Sequence, residues 1–182
     1  MKPGPGYNDH MTIEIICTGK LKEKYWQDAA AEYGKRLSRF CKLKITELPE
    51  VRLAGNSEAD EKAVIEAESR AVLAKLGCEV KGSDKNAFPD RSRTYAIALD
   101  VRGKELSSEA LAEKISDLTL AGKSHIVFII GGSLGLSQEL LNACDMRLSF
   151  SPMTFPHQLM RVILLEQIYR AFKINAGETY HK

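Results

Sequence analysis

Residues 126–130 read Ile-Val-Phe-Ile-Ile, between Gly122 on one side and Gly131-Gly132 on the other. A run with no polar member leaves no face for water, and its β-branched and aromatic residues suit a pleated strand, so it is expected to be a strand covered on both faces. Such strands belong to parallel sheets, whose crossovers lay helices on either side. The rest of the chain has the matching rhythm. A β-branched run at 13–17 precedes a helical stretch at about 23–40, with Trp26, Ala30, Tyr33 and Leu37 at i, i+4, i+7 and i+11. Residues 43–48 read as a second strand and 57–76 as a helix, with Val64, Ala67, Ala71, Leu73 and Ala74 at helical spacing and Gly77 placed to cap it. Residues 95–101 read as a strand, Arg102-Gly103-Lys104 as a turn, and Ser107 or Ser108 as the N-cap of a helix ending near Ala121. A short helix at 138–143, a strand at 147–150, a loop through Pro152 and Pro156, and a long helix at about 157–173 complete an α/β chain.

Two segments fit neither period. Residues 1–10, MKPGPGYNDH, are expected to be a disordered extension or a tag ahead of a single domain at 11–182. Residues 79–92, EVKGSDKNAFPDRS, are expected to be a surface loop. At 182 residues, 44% hydrophobic and 27% charged, the chain suits one hydrophobic core and neither a disordered nor a fibrous class. It carries no stretch of eighteen apolar residues and no charged start followed by an apolar block, so neither a membrane span nor a secretory signal is expected. Cys17, Cys41, Cys78 and Cys144 lie far apart, with no Cys-x-x-Cys pair and no histidine at ligand spacing, which argues against metal and disulfides and for the cytoplasm.

A net charge of +2 is too mild to announce nucleic acid. Between residues 19 and 44, however, eight bases, Lys20, Lys22 and Lys24 among them, face three acids. Between 58 and 68 five acids face Lys62 alone. Either run is a solvated helix face, or the basic one touches phosphates.

Three constellations can carry chemistry. Gly131-Gly132-Ser133-Leu134-Gly135 follows the buried strand, where glycines let a ligand approach the backbone and where α/β sheets bind ligands; a tight turn is the plainer reading. Its spacing is not G-x-G-x-x-G, and Gly122-Lys123-Ser124 has Asp117 where a P-loop needs glycine, so dinucleotide and nucleoside triphosphate sites are disfavoured. The loop Phe150-Ser151-Pro152-Met153-Thr154-Phe155-Pro156-His157 has two prolines to set its path, and its backbone can bond an adenine edge while Phe or Met packs on the ring, or it is ordinary core. In the last helix His157 and Arg161 lie at i, i+4, as do Glu166 and Arg170, the latter pair suiting a surface ion pair. Arg161 sits in an otherwise apolar run and, if packed, needs an anionic partner. The chain ends Tyr180-His181-Lys182, which either frays or serves function.

The segments FIIGGSLGLS (128–137), LSFSPMTFPHQLMRVILLEQIYRAFKINAGETYHK (148–182) and ICTGKLKEKYW (16–26) resemble the RlmH family of ribosomal RNA methyltransferases, small enzymes of the SPOUT superfamily. The resemblance covers 11–182, departing at residues 1–10 and in a longer loop at 79–93. It implies a parallel-sheet SPOUT fold with a carboxyl-terminal trefoil knot, a homodimer with sites at the subunit interface, and S-adenosylmethionine as cofactor. The implied reaction is methylation of N3 of a pseudouridine in large-subunit ribosomal RNA. Carried over by motif, donor contacts fall on Leu99, on the pair Gly131 and Gly132, and on the loop Phe150 to Phe155. Removing the N3 proton calls for a base, with His157 and His181 both candidates, and for positive charge, which Arg161 can supply. Candidate RNA contacts are Lys20, Lys22, Lys24, Arg170, Tyr180 and Lys182. A non-catalytic RNA-binding module is the alternative, lacking a donor pocket.

Overall fold

A computed structural model describes residues 11–78 and 90–180. The expected extension at 1–10, most of the expected loop at 79–92, and His181 and Lys182 lie outside the described residues.

Among the described residues, five strands alternate with five helices. They run β1 (Thr12–Thr18), α1 (Lys24–Leu37), β2 (Lys42–Leu48), α2 (Glu58–Lys75), β3 (Thr94–Glu105), α3 (Ser108–Leu120), β4 (His125–Ile130), α4 (Gln138–Ala143), β5 (Met146–Ser149) and α5 (His157–Asn175). The sheet is wholly parallel, in the order β2-β1-β4-β3-β5. β4 lies at its centre with Ile126 to Ile130 all buried, as an apolar run with no wet face requires. Ile13, Ile15, Ile97, Ile126 and Phe128 point to one face, under α1, α3 and α5; Ile16, Ala96, Ala98, Val127 and Ile129 point to the other, with α2 and α4. Each fully buried Ile or Phe contributes about 1.5 to 3 kcal/mol, so the two-sided burial of β1, β3 and β4 dominates the stability.

Helix ends follow local chemistry. Ser57 and Asp60 form a reciprocal capping box on α2, and the side chains of Ser107 and Ser137 accept the Ala110 and Leu140 N–H groups at the starts of α3 and α4. After α2 the chain turns at Gly77, whose φ of 71° is open to glycine.

Two expectations need correction. Arg102-Gly103-Lys104 does not end β3: the strand leaves β5 after Leu99 and rejoins it at Lys104, so that Leu148 lies opposite both residues. The arm between them crosses the β5 backbone so closely that a Cβ at Gly103 would sit 2.7 Å from the carbonyl carbons of Arg147 and Leu148. On α2, Ala74 is exposed and the buried stripe is Val64, Glu68, Ser69, Val72 and Leu73, because two polar residues there have specific partners in the site.

Candidate functional site

The carboxyl ends of β3, β4 and β5 open into a cavity of about 720 Å³, a size suited to a cofactor-like ligand. One wall is the loop 131–136. Gly135 donates its N–H to Gly132 O at 3.1 Å and holds φ at 88°, closing a tight turn. Gly131 lies beneath that turn: a Cβ there would stand 2.9 Å from Gly135 O, an obstruction of backbone that no rotamer change relieves. The tight turn is thus formed, and the close approach at Gly131 is to the loop's own backbone; Gly131 and Gly132 also line the cavity.

The opposite wall is the loop after β5. Ser149 donates to Ser151 O at 3.1 Å, and the Met153 N–H donates to Ser151 Oγ at 3.0 Å, so two serines set the path. Phe150, Ser151, Met153, Thr154 and Phe155 line the cavity, with Leu99 across from them; Pro152 is exposed on the loop's outer side and does not line it. Gly131, Gly132, Leu99 and this loop, which the resemblance singled out, are thus brought together. Apolar Leu99, Phe150, Met153 and Phe155 stand beside polar Ser151 and Thr154, an arrangement that can hold a planar heterocycle.

α2 backs the glycine loop with the two buried polar residues that its periodicity concealed. Glu68 accepts the Val51 N–H at 3.0 Å, and its Oε2 would lie 2.6 Å from a Cβ on Gly132. Ser69 Oγ accepts the Ser137 N–H at 2.8 Å. Burial pushes the Glu68 carboxyl above its ordinary value, Val51 N–H opposing and Glu50 adding to the rise. The acidic run containing Glu68 reads as a solvated face; the signal that finds Glu68 is its place at i+4 between Val64 and Val72.

His157 begins α5 and lines the cavity, its Nε2 3.6 Å from Glu50 Oε1. Desolvation is the main cause lowering its pKa below the usual histidine value; Arg161 and Lys22 add to the fall and Glu50 opposes it. A neutral ring at pH 7 is the form able to accept a proton.

Arg161, one turn further, is 2% exposed and does not line the cavity. Its guanidinium donates to Glu47 Oε1 at 2.8 Å, Thr18 O at 2.9 Å and Gly19 O at 2.6 Å. The anionic partner expected for it is Glu47, and the group ties α5 to the ends of β1 and β2. Lys20, Lys22 and Lys24 follow the end of β1, at the cavity's end of the sheet. Lys22 meets Glu50 at 3.6 Å and Lys24 meets Asp28 at 3.2 Å, while all three side chains are exposed.

Arg170 and Tyr180 are elsewhere. The nineteen residues of α5 carry the chain about 27 Å from His157, and the tail settles at that far end. Tyr180 packs edge-on against Tyr169 at 5.0 Å with the Arg170 guanidinium 4.9 Å from its ring, and Arg170 also pairs with Glu166 at 2.6 Å. Glu178 bonds Arg39 at 2.7 Å and also Lys173. The described part of the tail is docked, and lies away from its own chain's cavity.

A model of the family described as Predicted SPOUT methyltransferase matches residues 11–181. The protein named Ribosomal RNA large subunit methyltransferase H from Clostridium novyi (strain NT) is 57% identical over 173 residues, covering 94% of this chain and 100% of that one. The protein of the same name from Bifidobacterium adolescentis is 54% identical over 175 residues, with the same coverage. Similarity of this degree along almost the whole chain, on a parallel sheet whose glycine loop and serine-set loop enclose one cavity, makes this chain a member of the SPOUT methyltransferase family.

Proposed function

We propose that this chain transfers a methyl group from S-adenosylmethionine to N3 of a pseudouridine in large-subunit ribosomal RNA, in the cytoplasm and as a homodimer. The observation that carries the reading is the cavity between the loops 131–136 and 149–156, in a chain whose full-length relatives are named ribosomal RNA large subunit methyltransferases. The residues fit the donor: Gly131 and Gly132 form one wall of the cavity without side chains, Leu99 and Phe150 offer apolar faces, and Ser151, Met153, Thr154 and Phe155 line the wall opposite. S-adenosylmethionine supplies an electrophilic methyl on a sulfonium, so no metal is required. Gly132 completes the donor wall, backed by Glu68.

The chain's own part is positioning, proton removal and charge. His157, held neutral by burial and standing at the cavity edge, accepts the N3 proton. Arg161 acts through His157 and the strand ends rather than by touching the acceptor. Lys20, Lys22 and Lys24 hold phosphates beside the cavity mouth. Tyr180, with His181, Lys182 and Arg170, serves the site of the second subunit, since the docked tail lies about 27 Å along α5 from its own cavity. Supporting the dimer, Val101, Met153 and Phe155 are 52%, 71% and 40% exposed around the cavity mouth, an apolar rim suited to a second copy. The knot belongs to the same reading, supported by the β3 arm that crosses the β5 backbone at Gly103.

Titration calorimetry with S-adenosylmethionine and with NADH, followed by mass spectrometry of ribosomal RNA from cells lacking the protein, tests the proposal. Donor binding without NADH binding, and loss of one methylated pseudouridine, are expected. RNA binding with no donor binding would return the chain to a non-catalytic RNA module.

A further inference from the structure

Among the described residues lining the cavity, the ionisable side chains are Asp100 and His157, and Asp100 is the one acid. Its position follows from the strand geometry. Leu99 is the last β3 residue paired with β5 before the ladder breaks, so Asp100 stands where β3 lifts away, on the wall facing the loop after β5. The carboxylate is half-buried, and Oδ1 accepts the Arg102 N–H at 3.1 Å. The other oxygen makes no hydrogen bond to any described residue, and among the described residues no lysine or arginine lines the cavity to neutralise it.

We propose that Asp100 is a charge-selective element of the cavity, favouring a ligand that carries a positive charge close to the β3 wall. This rests on the donor reading above and deepens it: a sulfonium donor is cationic at sulfur, whereas the thioether left after transfer is neutral there. A single carboxylate in a mostly apolar cavity distinguishes the two because low polarity strengthens the attraction to the sulfonium and leaves contacts to the shared adenosine and amino-acid parts unchanged. Asp100 therefore favours loading of fresh donor and release of the spent product.

The test measures the dissociation constants of S-adenosylmethionine and S-adenosylhomocysteine by calorimetry for the wild-type protein, Asp100→Asn and Asp100→Glu. Asn keeps the Oδ1 acceptor for Arg102, and binding of the neutral product reports that the cavity is intact. The preference for the sulfonium over the thioether should fall about tenfold in Asp100→Asn, equivalent to about 1.4 kcal/mol, and persist in Asp100→Glu. An unchanged preference in Asp100→Asn, or an equal loss of both ligands, would overturn the inference and leave the donor site standing. Failure of the wild-type protein to bind either ligand would instead refute the donor reading itself.

Discussion

Replacing Arg161 with alanine separates a structural from a chemical role for the most buried cation among the described residues. The guanidinium, carried by α5, satisfies Glu47 Oε1, Thr18 O and Gly19 O, and the residue is 2% exposed. Alanine strands two carbonyls at the buried end of β1, each costing about 1 to 3 kcal/mol. The Glu47 side chain is 32% exposed and regains some water, which trims its share. The loss is therefore about 3 to 4 kcal/mol, within the range for breaking a buried ion pair and a large fraction of the stability of a domain this size. At about 2 to 4 °C per kcal/mol, the unfolding midpoint should drop by about 10 °C in a circular-dichroism melt. Methyl incorporation into ribosomes, assayed well below the lowered midpoint, should recover to within several-fold of wild type. A variant that melts like wild type yet transfers no methyl group would refute this reasoning and place the Arg161 charge on the acceptor.

Because burial lowers the His157 pKa, methylation should retain its rate until pH falls below about 6.5; Glu50→Gln should move this acidic limb to lower pH and Lys22→Gln to higher pH, read from kcat/KM profiles. The same shift makes the stability contributed by His157 present above about pH 6.5 and lost as pH falls through its lower folded value, so His157→Gln should flatten that slope in urea melts. Gly131→Val drives a side chain against the Gly135 backbone and should abolish donor binding by calorimetry; unchanged affinity would misplace the donor. Deleting 180–182 should spare donor binding and cut methylation by orders of magnitude, whereas full turnover would make the tail dispensable. Burial raises Cys17 to about 11 and Cys41 and Cys144 to about 12, so these thiols should resist iodoacetamide at pH 8 until the protein unfolds, as followed by mass.

The strand and helix succession, the parallel class and the two cavity loops are all legible in the sequence, because each rests on local chemistry: an apolar run with no wet face at 126–130, serines ahead of α2, α3 and α4, and glycines where backbone must pass closely. The RNA-methyltransferase reading rests on the resemblance carried by those loops and the tail, not on periodicity. Tertiary structure alone decided what lay across long separations. Arg161 meets Glu47 across 114 residues, so its need for an anion was readable but the anion's identity was not. Glu68 and Ser69 look like part of a solvated acidic helix until the glycine loop is folded over them. Asp100 looks like the polar end of a strand until β3 breaks from β5 and turns it to the cavity wall. Local sequence encodes which backbone states are open to each segment, whereas the burial of a charge depends on segments that only the sheet order brings together.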